Sequence, residues 1–455
     1  MTPSLALFAW LVLLVGLLYF DPAKEPRTSP ALWVPVIWMF IVASRLPSQW
    51  LSGRIGQVGQ SLEEGNPVDR TILSALILLA ILTLISRSFQ WGKFFARNTA
   101  LVAFVTFALV SVCWSDFPLI ALKRWVRDLG NYLMVIVVLT DPRPLEALRT
   151  LLRRLGYLLI PLSILLYKYF PGLGMQYTVW TGARMFVGAT TSKNMLGAAC
   201  LLSGVFFFWD TVTRWAERKD RRTKRILVLN FAFIGMTLWL LHLADSATSR
   251  VCMAMAWLVI VAAQSKWAER HSGLLKALIP ASFCLYLILA FGFGLNGQLA
   301  SQVGRDPTLT DRTLIWNILL GMHTDPLFGT GYESFWLGPR LDYIWAQFGG
   351  INESHNGYLQ VYLNLGLIGV FLLGVFLMAS YRTICRGLKP FSSLASLSTA
   401  LWTILLFYNM SEAAFGGGLL WDALLAGAIS IPARAAQRAS ALPAPEYALA
   451  ASNPR

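Results

Sequence analysis

Apolar residues along this 455-residue chain fall into long unbroken runs, not into the two-residue alternation of exposed strands or the narrow stripes of soluble helices. The runs 4–20, 71–85, 99–112, 151–166, 195–209, 226–243, 251–263, 278–293 and 358–379 approach or reach the ~20 residues that cross a bilayer. Four shorter runs, 31–44, 131–140, 394–407 and 419–431, bring the candidates to thirteen. The pattern predicts an all-α, polytopic membrane bundle of about 12–13 transmembrane helices.

Composition agrees: 56% of the residues are hydrophobic, 13% are charged, and the mean hydropathy is +0.57, values that exclude an ordinary soluble protein. The first run begins three residues from Met1, has no basic segment before it and no small-residue cleavage site before Asp21, so it is expected to be a retained helix. Cys113, Cys200, Cys252, Cys284 and Cys385 form no CxxC pair and have no neighbouring histidine ligands; they are expected to be packing residues.

Net charge is +15, but the basic residues sit in short loops between apolar runs, which fits positive-inside topology and no nucleic-acid partner. Segment 213–225 carries seven Lys/Arg, and 265–276 and 381–390 carry three each, so these loops are expected to be cytoplasmic. Segments 169–192, 244–249 and about 295–357 then face outward; the last holds six acidic residues against three basic ones. By the same rule 86–98 lies inside, the N-terminus outside and the C-terminus in the cytoplasm. The expected organisation is N-terminal membrane helices over 1–294, an outer loop over 295–357 containing an amphipathic helix near Leu314, Ile315, Ile318 and Leu319, further membrane helices over 358–433, and an Ala/Pro-rich disordered tail over 434–455.

Charged side chains are nearly absent from the middle of the runs, which disfavours a proton-coupled pump. They gather at run ends on the outer side: Arg184 and Lys193 in TGARMFVGATTSKNMLG, Arg250 in SATSRVCMAMAW, Arg312 in DRTLIW, and Glu353 and His355 in NESHNGY. Each has a structural explanation taken singly. Arg250 and Lys193 could snorkel, Arg312 could pair with Asp311 at the surface, and His355 could stand beside a Ser or Asn helix cap. Together they suggest an anion site, since arginine forks hold phosphate bidentately without a metal and helix N-termini add N–H groups. His355 could then take a proton from an attacking hydroxyl. No Asp-x-Asp pair or His/Cys ligand cluster is visible, so neither a metal nor another cofactor is expected. Trp316, Tyr332, Phe335, Trp336, Tyr343 and Trp345 in the outer loop suit either sugar stacking or an interfacial belt.

The ordered set Lys193 in TSKNMLG, Arg250 in SATSRVCMAMAW, Arg312 in DRTLIWNILLGMHTDPLFGTGYESF and His355 in ESHNGYLQVYLNLGLIG resembles the O-antigen ligase and polymerase superfamily. ALWVPVIWMFIVASRLPSQWL and CWSDFPLIALKRWVRDLGNYLM resemble its exopolysaccharide repeat-unit polymerase branch, and the likeness runs from about residue 31 to 430. The resemblance implies a GT-C-like glycosyltransferase at the periplasmic face of a bacterial inner membrane. Its partners would be an undecaprenyl-diphosphate-linked oligosaccharide donor, a growing glycan acceptor, membrane lipids and a chain-length regulator protein. By position, Arg250 and Arg312 would grip the diphosphate with help from Lys193 and Arg184. His355 would orient or deprotonate the acceptor, Glu353 would be a second candidate base, and transfer would invert the anomeric carbon. Lys193 stands where many relatives carry histidine or another polar residue. The alternatives are a ligase delivering finished glycan to lipid A core or protein, a flippase with cations at mid-membrane depth, and a scaffold indifferent to alanine at His355 and Arg312.

Overall fold

The computed structural model describes residues 1–23, 28–53, 65–177, 182–292, 312–388 and 393–431. The first part of the expected outer loop, up to and including Asp311, and the expected disordered tail over 434–455 lie outside these residues.

The described chain is almost wholly helical. Its main helices are α1 (Pro3–Tyr19), α2 (Trp33–Ala43), α3 (Pro67–Ser86), α4 (Thr99–Val110), α5 (Pro118–Leu139), α6 (Pro144–Tyr169), α7 (Lys193–Arg214), α8 (Arg221–Ala244), α9 (Ala247–Ala263), α10 (Ser272–Leu287), α11 (Arg312–Gly321), α12 (Gly338–Phe348), α13 (Gly357–Leu388), α14 (Ser393–Tyr408) and α15 (Leu419–Ala428). Their starts follow from local chemistry. Asn66, Ser192, Asp220 and Ser246 accept backbone N–H groups as N-caps of α3, α7, α8 and α9, and proline opens α1, α3, α5 and α6.

Each of the thirteen apolar runs overlies a helix. Among the described residues five helices are long and apolar enough to cross a bilayer alone: α3, α6, α7 with its short continuation, α8 and α13. Trp91–Arg97 and Thr99–Trp114 pass that test only as a pair, bent by 99°, and six apolar helices are shorter. Helix α13 is itself broken at Gly366, where φ is +63° and a side chain would collide with the backbone of Leu327. Leu367 and Ile368 there donate their N–H groups to Pro326 and Leu327, so the outer loop is stitched into the break.

The core is made by close approach at small residues. Gly130 of α5 lies against the Trp38 ring, Gly156 of α6 against Phe207, and Gly197 of α7 against Ser246 and Ser249 of α9. The last contact brings the N-termini of α7 and α9 together. The opposite ends of the same helices gather the basic loops: Trp209 Nε1 donates to Ser393 O at 2.7 Å, Gln264 to Ser396 at 3.1 Å, and Tyr381 OH to Lys276 O at 2.7 Å. Near that end Asp210, fully buried, accepts from Arg153, from Asn230 at 2.9 Å and from Arg214 at 2.9 Å.

The outer loop builds a satellite core of its own. Ile315 and Leu319 of the amphipathic α11 and Leu341 and Ile344 of α12 pack on Phe335, Trp336 and Leu363, while Leu314 stays exposed. A two-stranded antiparallel hairpin, Met175–Tyr177 with Arg184–Phe186, which the apolar pattern gave no sign of, fills part of the 169–192 segment.

Candidate functional site

At the end of the bundle away from the basic loops, four chain segments meet at Glu412. This residue lies in the loop after α14, whose path is set by Asn409: its carbonyl accepts Gly357 N–H at 2.8 Å and its side chain accepts Ala414 N–H at 2.8 Å. Asn194, in the first turn of α7, donates to Glu412 Oε2 at 2.9 Å. Thr248, in the first turn of α9, shares a hydrogen bond of 2.7 Å with Ser411. Arg312, the first residue of α11, donates Nη1 to the Ser411 carbonyl and sets Nη2 3.2 Å from Glu412 Oε1. His355 completes the group, with Nδ1 3.0 Å from Glu353 Oε1 and 3.6 Å from Glu412 Oε2.

His355 is held in an unusual backbone conformation, φ +50°, one of four non-glycine residues with positive φ among the described ones. Such positions cost of order 1–3 kcal/mol and persist only where neighbours enforce them. The enforcement is visible. Asn356 Oδ1 accepts Tyr358 N–H at 3.0 Å and Leu359 N–H at 3.1 Å, capping α13, while Ser354 is fixed by Trp316 Nε1 on its carbonyl at 2.8 Å and by Gln360 on its N–H at 3.2 Å. The neighbours of His355 are thus spent on capping and anchoring, and its ring is turned toward the carboxylates.

Burial decides the charges. It would push the His355 imidazole down, but Glu353 and Glu412 outweigh it and raise it to about 9. Burial would likewise raise Glu412, whose side chain is 4% exposed, yet His355 and Arg312 hold its carboxyl below its ordinary value. The resting cluster is therefore two cations on two carboxylates. Glu353, His355 and Glu412 also place one donor atom each within 4.8 Å of one another, a partial ligand set for a divalent cation. Glu412's two oxygens are already engaged by Arg312 and Asn194, so an ion would have to displace internal partners.

Of the residues singled out in the sequence, Arg312, Glu353 and His355 come together. Arg250 lies two residues beyond Thr248, exposed, and pairs with Asp245 at 3.0 Å; the two side chains are 43% and 75% exposed. Lys193 is half-buried beside Asn194, and Arg184 is exposed on the hairpin strand. The sequence reading passed over Glu412, Ser411 and Asn194. The available signal for Glu412 was a lone carboxylate between two apolar runs on the outward side, in NMSEAAFGGG.

The geometry now meets two likenesses. Residues 177–374, which include Lys193, Arg250, Arg312 and His355, match the family model for O-antigen ligase. The chain is also 27% identical over 306 residues to the exopolysaccharide production protein ExoQ of Rhizobium meliloti (strain 1021). That alignment covers 63% of this chain and 65% of the relative, so the chain spans less than two thirds of the relative's length. The fold and the family match define a polytopic helical membrane protein resembling the O-antigen ligase and polymerase superfamily. Its likeness lies on the exopolysaccharide branch.

Proposed function

We propose that the chain is a glycosyltransferase that joins polyprenyl-diphosphate-linked oligosaccharide repeat units into an exopolysaccharide at the periplasmic face of a bacterial inner membrane, its C-terminus cytoplasmic. The observation that carries this reading is the meeting of Arg312, His355, Glu353 and Glu412 at the end of the bundle opposite the basic loops, with Arg250 and Lys193 on the first turns of the two adjoining helices.

Glycosyl transfer passes through an oxocarbenium-like state, so holding the departing diphosphate lowers the barrier. The exposed Arg250 and Arg184 and the half-buried Lys193 would meet that anion, and Arg312 would add its field from behind Glu412. His355 presents Nδ1 to the carboxylates, 3.0 Å from Glu353 and 3.6 Å from Glu412, which leaves Nε2 for the acceptor hydroxyl. Glu353, 37% exposed, is the alternative proton acceptor. In-line attack inverts the anomeric carbon.

The test supplies purified protein with lipid-linked repeat units and EDTA, without nucleotide. A ladder of longer glycans is the expected product. Transfer to lipid A core instead would make the chain a ligase, loss of the ladder in EDTA would make the Glu353, His355 and Glu412 trio a metal site, and absence of any transfer would overturn the reading.

A further inference from the structure

A second charged cluster lies beside the glycines that follow Glu412 in the same loop. Arg127 of α5 chelates Asp128 through Nε at 2.9 Å and Nη2 at 3.2 Å, and Tyr332 OH donates to Asp128 at 3.0 Å. Arg124, one turn earlier, donates to the carbonyl of Glu333, a residue held at φ +49°. A structural lock between loop and helix explains Tyr332 and Asp128. It does not explain Arg127, half of whose side-chain surface stays accessible beyond that contact.

Beside this cluster a bare floor is made by Gly416, Gly417 and Gly418, with φ of +87° and +93° at the outer two. A Cβ on Gly417 would stand 3.4 Å from Asn131 Nδ2 and 3.7 Å from Asp128 Oδ1, so the bare backbone lies directly against the polar wall. Below it Asn131 and Asp422 line a small internal void, and among the described residues neither Asp422 oxygen has a hydrogen-bond partner. Two arginines stand beside two carboxylates, so the cluster is balanced in charge and lacks the excess of cations a diphosphate requires. Guanidinium forks and carboxylates side by side, over a floor without side chains, match paired hydroxyls on a flat ring. Gly417 is five positions after Glu412, a span of at most ~18 Å, which a few linked pyranose rings bridge.

We infer that Arg127, Asp128, Tyr332, Glu333 and the Gly416–Gly418 floor form a saccharide subsite, taking the neutral, polyhydroxylated part of a glycan whose reacting end lies at His355. This inference rests on the glycosyl-transfer reading of the Glu412 cluster. Its test needs no turnover. Oligosaccharides freed from their lipid by mild acid, and so without diphosphate, are titrated by calorimetry into the purified full chain. Wild type is expected to bind them, and Arg127→Gln and Tyr332→Phe to bind roughly tenfold or more weakly, each losing a hydrogen bond to a charged network, with unfolding midpoints confirming that both variants are folded. Unchanged affinity in both variants, or no binding by wild type, overturns the subsite. So does an equal loss in Arg312→Ala, which would put the glycan on the Glu412 cluster alone. Ladder formation by the same wild-type preparation reports on the transferase reading separately.

Discussion

If His355 is the base, the resting cluster dictates how the rate depends on pH. Raising an imidazole from its ordinary 6.5 to about 9 corresponds to ~3 kcal/mol in favour of the charged form, at about 1.4 kcal/mol per pH unit. At pH 7 only about one molecule in a hundred then carries neutral His355. The ladder-forming rate should climb about tenfold per pH unit and level off near pH 9. The groups facing the ring are Glu353 and Glu412, with Arg312 behind Glu412. Glu412→Gln keeps the shape and removes the charge 3.6 Å from Nδ1, and an opposite charge at that range moves a pKa by about 1–3 units. The limb should therefore slide at least one unit toward acid, and at pH 7 more of the variant carries the free base. The assay is the initial rate of ladder formation from pH 6 to 10 at saturating donor, for wild type and variant side by side. A wild-type limb centred near 6.5, or a limb that stays put in Glu412→Gln, would refute the reasoning. Stability carries the same sign: a folded-state pKa raised above the unfolded one contributes stability present below pH 6.5 and lost as pH rises through about 9, so the thermal midpoint should fall across that window.

Arg312→Ala removes one side of a buried pair, a change that costs about 3–5 kcal/mol; its unfolding midpoint should drop and its ladder vanish, whereas an unchanged midpoint would mean the Glu412 contact is not formed. Arg250→Ala breaks an exposed pair worth under ~1 kcal/mol, so its stability should stay near wild type while product is lost; full product would remove Arg250 from the site. Asp210→Asn, at the basic end, leaves Arg153 buried without its carboxylate and should cost about 3–5 kcal/mol with the pH limb of the folded fraction unmoved. A moved limb would show that the two ends of α7 are coupled.

The membrane helices were legible because bilayer crossing needs unbroken apolar sequence, and each of the thirteen runs overlies a helix. Helix α5 shows where that signal stops. Only 131–140 stood out as apolar, yet the helix begins at Pro118, because its first half carries Lys123, Arg124 and Arg127, which interrupt the apolar run without ending the helix. The 99° bend before α4 and the break at Gly366 were equally hidden, since both depend on what packs across the chain: the loop backbone at Leu327, for one, fits only against a glycine. The candidate site was half legible. Arg312, Glu353 and His355 were found as charges at run ends, but Glu412 gains its meaning from segments 57 to 218 residues away in sequence, and spacing along the chain carries no trace of that meeting.

The two arginines that the sequence placed in one role occupy different physical situations. Arg312 is 8% exposed and both terminal nitrogens are engaged, on Ser411 and Glu412; to grip a diphosphate it would have to abandon partners that are themselves buried, leaving Glu412 as an uncompensated charge. Arg250 holds only an exposed aspartate, an exchange that water screens and that costs little to reverse. An incoming diphosphate therefore competes with Asp245 far more easily than with Glu412. On the proposed reading Arg250 would meet the donor directly, and Arg312 would fix the carboxylate that sets the proton affinity of His355. The proposed site would then divide into an exposed cation for the leaving group and a buried pair that tunes the base. The pH limb is the property that separates them, because it depends on Glu412 and not on Arg250.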